Sequence, residues 1–325
     1  MKTVILFSGY NMRAVYAFIR TLEKQTIPYS IIASSDDDEI FQTAYKKHVS
    51  VIRHHKHLEV EDIVASIKAV QKKSDSKSYL IAPSTEALNR LLLEYKSVFD
   101  NLNCTIPLVD KKIYEEVSDK YSFGKLCLKY NILIPKEYSA LNIQVPCVAK
   151  PKTYVSRYSK KIFKPILITN NNQLEDFMNN HHIDDFYYQE FLEGRSLYLL
   201  YYFYKDGMFM KFSQENFIQQ SHGRSILAAK SAAYHMSEHS IPYENLFQTI
   251  GYTGLVMIEV KETKNSVYMI EANPRFWGPS QLFVDAEINF FEALLYDYGL
   301  LLTRPENNLV SNNVTSYFWD DGVSY

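Results

Sequence analysis

The chain opens with an apolar run, Thr3–Ser8, and then changes period. Past Gly9-Tyr10-Asn11, apolar side chains recur at Val15, Phe18, Ile19 and Leu22. That is the i, i+3, i+4, i+7 spacing of one helix face. The alternation continues. Tyr29–Ser34 and Val49–Arg53 read as strands, and Glu59–Lys72 as a helix with Val60, Ile63, Val64, Ile67 and Val70 inward. Tyr79–Ala82 reads as a strand, and Glu86–Tyr95 as a helix carrying Leu88, Leu91, Leu92 and Tyr95. Strands alternating with helices predict a parallel α/β domain over the first hundred or so residues. Its first turn has a single glycine and lacks G-x-G-x-x-G, so it carries no dinucleotide fingerprint. Pro83-Ser84-Thr85-Glu86 falls at a strand end, where an open α/β sheet meets ligands. A helix cap by Ser84 or Thr85 explains the same residues.

Near residue 110 the pattern changes. Lys111–Val117 and Asp119–Tyr130 predict helices, the second with Phe123, Leu126, Cys127 and Tyr130 inward. Residues 145–152 form an apolar strand ending in Lys150-Pro151. A lysine there needs an anionic partner or an exposed end, because burying it unpaired costs several kcal/mol. Ile166–Thr169 is a strand, Gln173–Asn180 a short helix, and Tyr187–Leu192 a strand interrupted by Gln189-Glu190 and followed by a bend at Gly194. Leu197–Tyr204 is an aromatic strand whose tyrosines serve sheet packing. The turn Lys205–Met208 leads from it into Phe209–Phe212. Leu255–Val260 and Val267–Ile270 flank the polar turn Lys261–Ser266 and predict a hairpin. Asp285–Tyr298 predicts a helix, and the alternating VTSYFWDDGVSY a terminal strand on the main sheet.

A length of 325 residues leans to two or three domains. The net charge of -2 is spread along the chain, which argues against a nucleic-acid surface. No window approaches 18 apolar residues, and the start lacks a signal-peptide core and cleavage site, so neither a membrane partner nor export is expected. Cys104, Cys127 and Cys147 are an odd number without ligand spacing and read as small apolar residues in a reducing compartment. The expectation is a cytoplasmic protein. His54, His55 and His57, and likewise His181 and His182, lack partners at metal spacing and read as solvated loops.

The hairpin carries the candidate chemistry. Each arm delivers one glutamate, Glu259 and Glu271, and pairing brings the two together. Asn273, Pro274, Arg275 and Gly278 follow. Two carboxylates and an amide oxygen suit a hard cation, Mg2+ first and Mn2+ second. The guanidinium beyond them offers a planar fork for phosphate or an acyl phosphate. The plainer alternative is a solvated hairpin with an Asn-Pro turn.

"GLVMIEV" followed by "MIEANPRFWG" resembles the metal-binding end of the ATP-grasp superfamily, in the branch of carbamoyl-phosphate synthase large chains and carboxylate–amine ligases. The resemblance covers residues from about 112 to 300. It rests on four ordered blocks: DKYSFGKLCLKYNILIPKEY, Lys150-Pro151, the hinge Gln189–Gly194, and the Glu259/Glu271/Asn273/Arg275 set. It implies an α/β and α+β chain. A Rossmann-like pre-ATP-grasp domain, 1–111, would precede a two-lobed ATP-grasp fold, with the small lobe over 112–186 and the large lobe over 187–325. ATP would lie between the lobes, with Lys120 and Lys150 at its phosphates and Gln189, Glu190, Phe191 and Leu192 around the adenine. The acid that the pattern places two or three residues after the glycine is replaced by Ser196 and Leu197, which leaves Glu193 as a substitute at the ribose. Glu259, Glu271 and Asn273 would hold Mg2+. Arg275, and Arg224 in QQSHGRSILAAKS, would be catalytic cations, a surface arginine being the alternative for Arg224.

The implied activity is an ADP-forming ligase. A small-molecule carboxylate attacks the γ-phosphate, and the acyl phosphate then meets an amine; amino acids are the first guess for both substrates. The oligomeric state is not fixed, and a homodimer stays open. One segment departs from the pattern: TYVSRYSKKIF stands where the family has a glycine-rich lid, and offers Lys152, Arg157, Lys160 and Lys161 around it instead of glycine. This leaves a nucleotide-binding sensor or partner without turnover as a second reading. A phosphotransferase acting on an alcohol is a third.

Overall fold

The structure is a computed structural model that describes residues 2–55, 57–220, 226–306 and 314–319. Its first sheet has five parallel strands: β1 (Lys2–Phe7), β2 (Tyr29–Ala33), β3 (Val49–Ile52), β4 (Ser78–Ile81) and β5 (Cys104–Thr105). Their order is β3-β2-β1-β4-β5. Val4, Ile5 and Leu6 are fully buried, as expected for a strand covered on both faces. Helices α1 (Met12–Lys24), α2 (Val60–Lys72), α3 (Glu86–Glu94) and the short α4 (Lys96–Asp100) accompany the sheet.

Sequence neighbours diverge between β1 and β4, the crevice where such sheets meet ligands. Here the chain's own loop occupies it. The Phe276 N–H donates to the Pro83 carbonyl at 3.1 Å. The Asn11 amide donates to the carbonyls of Ser84 at 2.8 Å and Phe276 at 3.1 Å. Thr85, not Ser84, caps α3, its hydroxyl accepting from the Leu88 N–H.

Helices α5 (Lys111–Ser118) and α6 (Lys120–Lys129) lead to a four-stranded antiparallel sheet. Its strands are β6 (Glu137–Tyr138), β7 (Cys147–Pro151), β8 (Ile166–Ile168) and β9 (Phe186–Glu190), in the order β6-β9-β7-β8, with α7 (Asn171–Asn180) alongside. The third sheet is antiparallel and six-stranded: β10 (Arg195–Phe203), β11 (Phe209–Gln219), β12 (Ile226–Ala232), β13 (Gly254–Glu262), β14 (Val267–Asn273) and β15 (Ser316–Phe318). The order is β14-β13-β10-β11-β12-β15.

Period-2 alternation gives this sheet two buried faces. Tyr198, Leu200, Tyr202 and Met257 join one core with Val15, Phe18 and Leu22 of α1. Leu197, Leu199, Tyr201, Val256 and Ile258 join another with Tyr114, Val117, Phe123 and Leu126 of α5 and α6 and with Leu246 and Phe247 of α8 (Ile241–Thr249). The tyrosines of β10 are thus sheet packing, as expected.

Three expectations change. The helix read as 285–298 is two, α9 (Ser280–Asp285) and α10 (Phe290–Asp297), because Glu287 takes a left-handed backbone (φ 59°) that no right-handed helix continues through. Strand β11 runs on to Gln219, its buried polar positions Gln214 and Asn216 joined by one hydrogen bond from the Gln214 amide to Asn216 Oδ1. His181 is not solvated: it is half-buried and stacks on Phe177 at 4.5 Å. His54, His55 and His57 are exposed, and the carbonyls of His55 and His57 accept from the Arg53 guanidinium. The three cysteines are free and buried.

Candidate active site

Glu259 on β13 and Glu271 on β14 are direct cross-strand partners, with a bulge immediately after Glu259. Side chains directly opposite in a ladder share one face. Tyr198, the partner of Glu259 on β10, extends the row. From the first turn of α6, Lys120 reaches across and pairs with Glu271. The Asn273 amide donates to Glu271 Oε1 at 2.7 Å, and its own oxygen accepts from Arg275 Nη2 at 2.9 Å. Arg275 Nη1 donates to the Phe276 carbonyl at 3.0 Å, so the loop seated on the first sheet also orients the guanidinium. Lys150 comes from β7 of the small sheet; it is 5% exposed and its Nζ donates to the Ile270 carbonyl at 3.2 Å. Glu259 Oε1 accepts from the Ser196 hydroxyl at 3.3 Å.

The two carboxylates differ electrostatically. Burial pushes the Glu259 carboxyl up, and the charge of Glu271 adds to that. Burial works the same way on Glu271, but the Lys120 charge and hydrogen bond, with help from Asn273 and Arg275, hold it well below the usual range. Burial, and then the charge of Lys120, bring the Lys150 amine down to about 8. Burial opposes the charge on Lys120, yet Glu271 outweighs it and raises the amine. Among the described residues no group of three or more His, Cys, Asp and Glu forms a metal cluster. The donor set here is two carboxylates and an amide. It fits a hard divalent cation: Glu259 lies half-buried beside a second carboxylate, and a cation between them would supply the charge that keeps both ionised.

Around the hinge, the Glu190 N–H donates to the Lys136 carbonyl at 2.9 Å and the Phe191 N–H to the Pro146 carbonyl at 3.4 Å. Gln189 is buried and turns its amide to the Pro135 carbonyl at 3.5 Å, so it braces the hinge from beneath. Glu190 and Leu192 are half-buried, whereas Phe191 and Glu193 are exposed. Gly194 is required by space: a Cβ there would stand 2.3 Å from the Glu262 carbonyl oxygen.

The glycine-free segment after Lys150 is built on Asp185. That carboxylate accepts from the Ser156 hydroxyl at 2.5 Å and from the Arg157 N–H at 3.2 Å, while the Asp185 carbonyl accepts from the Lys152 N–H at 2.9 Å. Arg157, Lys160 and Lys161 are exposed, and Lys152 is half-buried. The Tyr154 ring lies over the Arg90 guanidinium at 4.4 Å, and Arg90 in turn bonds Glu86 and Asp119. Sequence reasoning missed this contact; only the Asp119-Lys120 pair in the helix-entry block pointed near it. Arg224 lies outside the described residues.

The fold has counterparts among solved structures. The biotin carboxylase domain of Hydrogenobacter thermophilus 2-oxoglutarate carboxylase, solved with MgADP and bicarbonate, superposes with a TM-score of 0.72 over 96% of this chain and 73% of that one, at 13% identity. The Bacillus licheniformis L-amino acid ligase gives 0.65 over 98% of this chain and 79% of that one, at 13% identity.

The chain has the ATP-grasp fold. The Rhizobium etli pyruvate carboxylase also matches, with a TM-score of 0.69 and 14% identity over 95% of this chain, which spans 29% of that longer one. No protein-family model and no curated protein sequence matches. At these identities the likeness establishes the fold. Within it, the ATP-grasp pattern read from the sequence is brought together at Lys120, Lys150, Glu259, Glu271, Asn273 and Arg275.

Proposed function

We propose that this chain is an ATP-dependent carboxylate–amine ligase that works through an acyl phosphate and releases ADP and phosphate. The observation that carries the reading is the cross-strand pair Glu259–Glu271 set among Lys120, Lys150 and Arg275. Gathering two adjacent, half-buried carboxylates with the buried Lys150 and the half-buried Lys120 and Arg275 brings no stability that apolar packing would not match. The same set suits a polyphosphate carried with a divalent cation.

In this reading Lys120 and Lys150 offset the charge of the nucleotide phosphates. Glu259, Glu271 and the Asn273 oxygen would hold Mg2+, which would supply neutralisation of the phosphate charge. This reading requires the resting hydrogen bonds to be exchanged. Lys120 gives up Glu271, and the Asn273 oxygen turns from Arg275, which frees the guanidinium fork for the acyl phosphate. Once released from Glu271 and Asn273, the cations stand beside the transferring group and need no further reorganisation as charge develops, so the chain's contribution is positioning and electrostatics. The amine then displaces phosphate from the acyl carbon and forms the amide. No enzyme nucleophile is required.

The test is ADP release with Mg2+-ATP over a panel of amino acids and small carboxylates, each offered with and without a candidate amine. The reading predicts ADP only when a carboxylate is present, and amide when both are. A second reading, a nucleotide-binding protein without turnover, draws on the glycine-free segment tied down at Asp185. ATP binding with no ADP from any member of the panel would favour it.

A further inference from the structure

The acid that the ATP-grasp pattern expects shortly after Gly194 is missing, and the structure shows what stands in its place. Leu197 points into the opposite core. Ser196 is 3% exposed and its hydroxyl is fully used. It donates to Glu259 at 3.3 Å and accepts from Asn216 Nδ2 at 3.2 Å and from Gln219 Nε2 at 3.3 Å. The Gln214 amide donates to Asn216 Oδ1 at 2.7 Å, which fixes the direction of the chain of donors toward Glu259.

Gln219 should not be there. In regular alternation Gln214 and Asn216, opposite Tyr198 and Ser196, share the cleft face, and Gln219 falls on the other. The register shift between Asn216 and Ile218 makes Phe217 an extra residue on β11 and turns Gln219 back beside Ser196; a second shift, between Ile218 and Gln219, puts its extra residue on β12. The shifts leave Phe217 53% and Ile218 44% exposed, an unfavourable arrangement with no packing return. Bulges that re-aim one side chain occur next to functional sites. Gln219 is half-buried, its Nε2 is committed to Ser196, and among the described residues its Oε1 has no hydrogen-bond partner.

The position is defined by two neighbours. Ser196 lies two residues past the hinge glycine on one side and bonds Glu259 on the other. A nucleotide with its base at the hinge and its phosphates at Glu259 and Glu271 carries its sugar across this interval. We propose that Gln219, aimed by the bulge and held by Ser196, accepts a hydrogen bond from a ribose hydroxyl at its Oε1, in the role the pattern gives to a carboxylate. The proposal rests on the nucleotide reading above. It makes Gln219 a specificity residue for ribonucleotides over deoxynucleotides and relieves exposed Glu193 of that role.

Direct calorimetric titration of the full chain with ATP, 2′-deoxy-ATP and 3′-deoxy-ATP tests it, without a label on the sugar. One neutral hydrogen bond is worth roughly three- to tenfold in affinity. The wild-type chain should bind ATP tighter by about that factor than at least one deoxy analogue. Gln219→Ala should bring the ratio to about one by weakening ATP alone, and Glu193→Ala should leave it unchanged. Equal affinities in the wild type, a ratio that survives Gln219→Ala, or a ratio lost in Glu193→Ala overturns the inference while the nucleotide reading stands. Absence of any ATP binding overturns that reading, and the inference with it.

Discussion

Glu271→Gln keeps the shape of a side chain and removes its charge, which separates folding from chemistry. In the resting chain Glu271 pairs with Lys120, and the two side chains are 23% and 20% exposed. Breaking a buried pair costs about 3–5 kcal/mol and an exposed one about 0.2–1 kcal/mol. With a fifth of each side chain in solvent, and an amide oxygen still able to accept from Lys120, the loss should be about 2 kcal/mol. For 325 residues the unfolding entropy converts that to a fall in Tm of about 3 °C.

The sign follows from the depressed carboxyl. Its stabilisation is present above the ordinary carboxyl value of 4.5 and is lost as pH falls below it toward the folded-state value, so the difference in Tm should shrink there. A loss of this size leaves about 99% or more of an ordinary domain folded at 25 °C. If Glu271 holds the metal as proposed, removing its charged oxygen should lower ADP release by at least about 100-fold. Differential scanning calorimetry and an ADP-release assay on the same preparations read the two effects. Wild-type ADP release in Glu271→Gln would refute the metal assignment, and an unchanged Tm would refute the weight given to the Lys120 pair.

Other expectations concern the supports of the site. Lys150 titrates near 8 against an ordinary 10.5, so the unfolded chain holds that proton more tightly and stability should rise as pH goes from 8 to 10.5. Lys150→Met should flatten that rise, stabilise the nucleotide-free chain at pH 7 by up to about 3 kcal/mol, and weaken ATP binding, as read by thermal melts and calorimetry. Gly194→Ala forces a methyl to 2.3 Å from the Glu262 carbonyl oxygen; the hinge should shift, with a lower Tm and weaker ATP binding than in the wild type. Asn11 has φ 51° and bonds the Ser84 and Phe276 carbonyls, so both Asn11→Gly and Asn11→Ala lose the amide. Only alanine also strains the backbone, and its melt should show about 1 kcal/mol of additional destabilisation.

The sequence announced what depends on local periodicity. Two apolar runs across a short polar turn were enough to announce a hairpin with both glutamates near one end. The register from the turn, however, sets Val260 opposite Met269 and would set Glu259 opposite Ile270; the bulge after Glu259 brings Glu271 opposite it, and no periodicity shows that. The alternation of strands and helices likewise announced the parallel sheet. Features that depend on partners remote in sequence were not legible. The resemblance places Lys120 at the nucleotide phosphates, but nothing local to it shows that it pairs with Glu271, 151 positions on. Asp185 gives no sign that it ties down the segment at Ser156, and the register shift at Phe217 that returns Gln219 to the cleft face leaves no mark on composition. The split between α9 and α10 turns on one left-handed glutamate, which helix periodicity cannot see.

The central claim is that a substrate carboxylate is phosphorylated at this site. The most direct measurement offers hydroxylamine as the amine, with Mg2+-ATP and the carboxylate panel, and follows ADP and hydroxamate together. Hydroxamate formed in step with ADP, for one carboxylate or a narrow set, and abolished in Glu271→Gln, is the predicted result. ADP release without hydroxamate from any carboxylate, or hydroxamate that survives Glu271→Gln, would contradict the account.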